Sequence, residues 1–280
     1  MHTFSGIGGV SIAGDAWGNP DGPLVVLQHG GGQTRHAWKG TGEILGAAGY
    51  YAIALDARGH GDSDWASDGA YSHDHMIQDL QRVLAALGRP HPVLVGASMG
   101  GVISLIAAGE RHVDAKALVL VDVAPRIEPE GVGKIHSFMS QRPDGFDTLE
   151  EVALAISNYQ PHRQRPRNLD GLAKNIRLGP EGKYHWHWDP RYRAGTRNLE
   201  ERRIRLEACA HQLKLPTLLV RGGLSDVLTE EGVQQFLAIC PHSEYVNVTD
   251  AAHMVAGDRN DIFGNAVIDF LARVAPLQAA

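Results

Sequence analysis

Short apolar runs recur along the chain at wide intervals, at residues 24–27, 51–55, 93–95, 117–121, 217–220 and 245–248. Most continue without an alternating polar position, which is the pattern of a central strand covered on both faces. Between them, at 72–87, 101–110, 230–239 and 262–274, apolar residues return at spacings of three and four and predict helices. Strand, helix, strand over most of a chain builds a mainly parallel sheet with helices on both faces, an α/β fold. Residues 4–17 precede these units and are expected to form an antiparallel hairpin at the sheet edge.

The rhythm fails between residues 125 and 212, where no strand of the same kind occurs. The segment reads as a mostly helical cap, dividing the chain into a first core part (1–124), a cap insertion (125–212) and a second core part (213–280). Charge sharpens that division. From Arg126 to Arg205 there are 15 Lys and Arg against 11 Asp and Glu, whereas the whole chain has 26 against 32.

At 280 residues the chain has length for one large domain with an insertion. A formal net charge of −6 argues against a nucleic-acid binder, which needs a basic surface. No run approaches the roughly 18 apolar residues of a membrane span. Residues 1–6 show no signal-peptide pattern, and Cys209 and Cys240 are too few for a disulfide framework. A cytoplasmic protein with reduced thiols is expected, a single bridge between those two cysteines staying open.

In a sheet of this kind ligands gather at the carboxyl ends of the strands, so the residues after each run carry the candidate chemistry. "VLVGASMGG" (93–101) places Ser98 between a strand and a helix, with glycine two positions before and after it. That is the form of a nucleophile elbow, in which small neighbours let the chain turn tightly. Gln28-His29-Gly30-Gly31-Gly32 follows the first run, Asp226 lies in the loop after 217–220, and His253 follows the last. The chain order Ser98, Asp226, His253 suits a triad in which His253 takes the serine proton and Asp226 orients the imidazole. Asp122 also ends a predicted strand and is the alternative acid. The amides of Met99 and Gly31 are the expected oxyanion donors.

These motifs together resemble the α/β-hydrolase superfamily, specifically its capped serine-hydrolase branch. The resemblance rests on "QHGGG" (28–32), "DARGHGDSD" (56–64), "GASMGG" (96–101), "RGGLSDVL" (221–228) and "DAAHMV" (250–255). It spans nearly all of the chain outside the insertion and implies a cofactor-free ester hydrolase acting on a small to medium substrate. A serine in the elbow disfavours the epoxide-hydrolase and dehalogenase chemistries of such enzymes, which use aspartate there. Three consecutive glycines depart from the usual pattern and leave the second oxyanion donor open between Gly31 and Gly32. Carbon–carbon, lactone or amide hydrolysis, acyl transfer and perhydrolysis keep the same triad, and a ligand-binding receptor of this fold is the alternative of another class.

Other motifs have plainer readings. His185-Trp186-His187-Trp188-Asp189 has the alternation of a metal site, but Pro190 stands where another histidine is needed, and no metal is expected. Trp186 and Trp188 are instead expected to line the substrate site. The glycine loops lack the Lys-Ser/Thr of a phosphate-binding loop, so no nucleotide cofactor is expected. His60 is read as part of a structural turn that can still border the pocket, His73-Asp74-His75 as a helix start, and Arg163, Arg165 and Arg167 as a solvated face, with steering of anionic substrates as the alternative.

Overall fold

A computed structural model describes residues 1–159, 170–193, 198–258 and 260–277. The chain opens with an antiparallel edge pair, β1 (His2–Ser5) and β2 (Ser11–Trp17). There follow β3 (Leu24–Gln28), α1 (Lys39–Ala47), β4 (Tyr51–Leu55), α2 (His73–Leu87), β5 (Val93–Ala97), α3 (Met99–Gly109) and β6 (Ala117–Val121). After an inserted segment come β9 (Thr217–Gly222), α7 (Glu230–Ile239), β10 (Glu244–Val248), α8 (Val255–Asp258) and α9 (Asn260–Val274). The inserted segment itself holds α4 (Pro129–Ser140), α5 (Leu149–Tyr159) and a short hairpin of β7 (Ile176–Leu178) and β8 (Tyr184–Trp186), and is followed by α6 (Leu199–Gln212), which packs through Leu206, Cys209 and Ala210 into the core beside α3.

Eight strands form one sheet in the order β1-β2-β4-β3-β5-β6-β9-β10, parallel from β4 to β10. Successive side chains of a strand face opposite sides. Leu24, Val26, Ile53, Leu94, Leu118 and Leu120 accordingly pack with α2 and α3, while Val25, Leu27, Ala52, Ala54, Val95 and Val119 pack with α1 and α9. Burial on both sides explains why these strands show no polar alternation. Side-chain caps start α2, α5, α6 and α7, from Ser72, Thr148, Asn198 and Thr229 respectively.

Two elements differ from expectation. Helix α1 has too little apolar periodicity to be read from sequence, because it docks through glycine: a Cβ on Gly42 would lie 2.3 Å from the Trp17 ring. The insertion, expected to be mostly helical, also contains the β7–β8 hairpin, extended by a bridge from Phe146 to Tyr184. Its own apolar cluster includes Phe146, Val152, Leu172, Ile176, Trp186 and Trp188. It is tied to the body by the Asp189 N–H donating to Gly59 O (2.8 Å) and the Tyr71 hydroxyl donating to the Asp189 carboxylate. Cys209 and Cys240 are both free and buried, so the bridge left open does not form.

The loop after β4 is anchored by a buried ion pair. Arg58 donates through Nε and Nη2 to the two oxygens of Asp79 on α2, each at 2.6 Å, and its remaining donors reach Ala70 O and Ile7 O. Removing one partner of such a pair strands the other charge. Arg58→Met should therefore lower the unfolding free energy by about 3–5 kcal/mol, read from urea denaturation; an unshifted midpoint would contradict this account.

Candidate active site

Strand order reverses at β3, which has β4 on one side and β5 on the other, and a reversal of this kind opens a crevice at the strands' carboxyl ends. Gly30, Gly31 and Gly32 enter it from β3, and Ser98 enters it from β5. Ser98 has φ 47° and ψ −111°, a conformation rarely held by a residue with a side chain. Its neighbours permit the turn. A Cβ on Gly96 would lie 2.3 Å from Gly100 O, one on Gly100 2.3 Å from Gln28 O, and one on Gly101 2.3 Å from the Val123 side chain. Met99 then opens α3, where first-turn N–H groups have no helical acceptor.

The peptide planes of the glycine loop are set by hydrogen bonds. Gly30 O accepts from His29 Nδ1 (2.7 Å) and from the Gln33 N–H (3.1 Å), while the Gly30 N–H donates to Gln33 Oε1 (2.9 Å). In a trans peptide the Gly31 N–H points opposite to Gly30 O. Among the described residues it has no acceptor, and Gly31 borders the cavity. The Gly32 N–H, by contrast, is engaged with His60 Nε2 at 3.2 Å. These bonds favour Gly31 over Gly32 as the amide available to a ligand.

The expected acid is not the one beside the histidine. His253 Nδ1 donates to Asp122 Oδ2 at 2.6 Å, and the Asp122 side chain is fully buried. Asp122 has φ 51°, and its carboxylate also accepts from the Gly222 N–H (2.9 Å) and the Ser225 hydroxyl. Asp226 lies on the outer side of the loop after β9, half exposed, with Oδ2 2.9 Å from Lys134 Nζ. The physical reason is local. Ser225 Oγ accepts from the Val227 and Leu228 N–H groups, curling the loop so that the hydroxyl faces inward and the next carboxylate outward.

A cavity of about 420 Å³ joins these groups, lined on the body side by Gly31, Gly32, Ser98, Met99, Asp122 and His253. From the insertion come Phe138, Met139, Tyr159, Trp186, Trp188 and Tyr192. The rings of Trp186 and Trp188 stack at 4.9 Å, and the Tyr192 hydroxyl approaches Met99 Sδ at 2.9 Å. The cavity is thus largely apolar with a few convergent polar groups, as small-molecule sites are.

The residues of the alternating His-Trp motif do not converge. His185 bonds Glu181, His187 bonds Gly61 and Gly32, and Asp189 bonds Tyr71 and Arg191. Among the described residues no group of three His, Cys, Asp or Glu is arranged to hold a metal ion, and no helix is long and apolar enough to cross a membrane. His73 begins α2 as expected, whereas Arg163, Arg165 and Arg167 lie outside the described residues.

Sequence reasoning missed a set of buried histidines. His29, His60 and His187 have ring centroids 5.2 and 5.9 Å apart in succession, and each is at most 2% exposed. His29 accepts from the Ala57 N–H at 3.0 Å, and His187 Nδ1 accepts from the Gly61 N–H at 2.8 Å. His29 and His60 each adjoin glycine and His187 stands between two tryptophans, and none of these neighbours marks the ring as buried against distant backbone. Burial holds His29 below the usual imidazole pKa and pushes His187 down to about 3, the nearby His29 adding to the latter shift.

The α/β hydrolase fold profile matches residues 23–259. The chain is 28% identical over 258 residues to esterase Rv0045c of Mycobacterium tuberculosis, covering 89% of this chain and 82% of that protein. It is also 28% identical over 252 residues to the 3-hydroxybutyrate-oligomer hydrolase of Cupriavidus necator, covering 85% of each. The crystal structure of E-2-(acetamidomethylene)succinate hydrolase superposes with a TM-score of 0.83 at 22% identity, covering 96% of this chain and 98% of that one.

His187 makes stability depend on pH in a defined direction. In the unfolded chain a histidine protonates near its ordinary pKa of about 6.5, but in the folded protein His187 does so only at about 3. Between those values the unfolded state binds a proton that the folded state refuses, so this contribution is intact above about 6.5 and lost as pH falls toward 3. Urea midpoints at pH 7, 5.5 and 4 should fall in that order, with a shallower decline in His187→Gln. Equal slopes in both proteins would contradict the assignment.

Proposed function

The chain belongs to the α/β-hydrolase fold family, and from that premise we propose that it hydrolyses carboxylic esters of small to medium size, with Ser98 as nucleophile, His253 as base and Asp122 as the orienting acid. The observation that carries this reading is the 2.6 Å contact of His253 Nδ1 with buried Asp122, on the same cavity as a serine whose φ is 47°. Relatives named as an esterase and an oligomer hydrolase support the ester as substrate.

Asp122 accepts at Nδ1, so the lone pair of His253 is left at Nε2, the tautomer a general base requires. Ser98 Oγ attacks the ester carbonyl carbon while His253 Nε2 takes its proton. The carbonyl oxygen becomes an oxyanion, received by the Met99 and Gly31 amides. When that intermediate collapses the carbon–alkoxy bond breaks, and the alcohol leaves with the proton returned by His253. Water then adds to the acyl-serine, giving its proton to His253, and collapse releases the carboxylic acid and restores Ser98. No cofactor enters these steps. The insertion acts as a cap, placing Trp186, Trp188 and Phe138 over the acyl or alcohol group.

The test is steady-state hydrolysis of p-nitrophenyl acetate and butyrate. Ser98→Ala should lower turnover by about 10⁶-fold and Asp122→Asn by about 10⁴-fold. Asp226→Asn, which loses only an exposed ion pair to Lys134, should retain wild-type rates. A greater loss in Asp226→Asn than in Asp122→Asn would overturn the acid assignment, and wild-type rates in Ser98→Ala would overturn the function.

A further inference from the structure

The third glycine of the loop is gripped on both sides of its backbone. The Gly32 N–H donates to His60 Nε2 at 3.2 Å, and Gly32 O faces His187 Nε2 at 3.3 Å. Each imidazole is itself fixed at its other nitrogen. His187 Nδ1 accepts from the Gly61 N–H at 2.8 Å, so its proton is on Nε2 and is offered to Gly32 O. His60 accepts at Nε2, so its proton is on Nδ1, 3.2 Å from Arg58 O. Gly32 has φ +73°, in the region glycine enters without steric cost, and no side chain of its own holds it there.

His60 belongs to the body and His187 to the insertion, 155 residues from the glycine it meets. We propose that His60 and His187 are positioning residues for the oxyanion site, and that His187 makes the site's assembly depend on the seating of the insertion. The inference rests on the ester-hydrolase reading above. Gly31 lies between two restrained units. Gly30 O is held by His29 and Gln33, and Gly32 is held by the two further imidazoles. An amide stabilises a developing oxyanion only if it is aimed before the charge appears. Releasing Gly32 O frees the Gly32–Gln33 peptide and leaves the Gly31–Gly32 peptide held by His60 alone. The insertion therefore has a second role beyond enclosing substrate: a body whose insertion is lifted away has Ser98, His253 and Asp122 in place but a slack loop.

The experiment compares two substitutions at one position. Glutamine can place an N–H where His187 Nε2 stands, keeping the bond to Gly32 O, whereas asparagine can place an acceptor where Nδ1 stands, keeping the bond from Gly61 and losing the bond to Gly32. With p-nitrophenyl butyrate, His187→Gln is expected to keep kcat within about fivefold of wild type. His187→Asn is expected to lower kcat by about ten- to a hundredfold with KM unchanged. The Ki of butylboronic acid, which forms a tetrahedral adduct on serine, should rise in parallel with that loss, while the Ki of butyrate should stay constant.

Equal loss in both variants, or wild-type kcat in both, overturns the inference while Ser98→Ala remains inactive. Wild-type hydrolysis by Ser98→Ala would instead remove the underlying reading and this inference with it. If His187→Asn does not unfold cooperatively in urea, His60 decides the matter. His60→Gln can turn a carbonyl to the Gly32 N–H and should keep kcat, whereas His60→Leu should lose it at constant KM; equal rates in that pair overturn the inference.

Discussion

The site depends on one close approach of backbone to backbone, between the turn after β5 and the end of β3. The Gly100 N–H donates to His29 O at 3.1 Å, and a side chain on Gly100 would collide with the main chain of Gln28. A Cβ on Gly30 would lie 3.3 Å from the Ser98 Cβ, so the glycine loop and the serine face each other with no side chain between them. Every later feature presupposes that contact. Met99 and Gly31 can border one cavity only because β3 and the start of α3 are this near.

The next constraint is the handling of the acid. A buried carboxylate needs donors, and Asp122 has three: the His253 imidazole, the Gly222 N–H and the Ser225 hydroxyl. The end of β9 thus contributes an amide, and the loop after it a hydroxyl, to hold the carboxylate that follows the neighbouring strand β6. Sequence reasoning favoured Asp226 over Asp122 as the carboxylate beside His253, because both candidates follow apolar runs and chain order alone separates them poorly. The direction of Asp226 is decided by Ser225 capping its own loop, a contact with no trace in periodicity or composition.

Much else was legible, for physical reasons. Strands buried on both faces must be continuously apolar, so β3, β4, β5, β6 and β9 were marked within a residue or two of their ends. The elbow was legible because Gly96, Gly100 and Gly101 each occupy space that a methyl group would fill. Helix α1 and the β7–β8 hairpin were not legible, since one docks through glycine and the other gains its stability from the insertion's aromatic cluster. The buried histidines were hidden for a related reason. Their partners are backbone groups far along the chain, and a residue that serves distant main chain leaves no local pattern.

The order in which these groups occur along the polypeptide has a consequence for the protein as it is made. The glycine loop, Ser98 and Asp122 all precede the insertion, and only His253 follows it. A nascent chain emerging from the ribosome therefore carries Ser98 and Asp122 well before His253 has been made. The Asp122 carboxylate meanwhile lacks two further partners, Gly222 and Ser225, until β9 is extruded. All three donors to the Asp122 carboxylate are thus synthesised after the insertion, so the pairing of this buried acid is the part of the site that closes last along the chain.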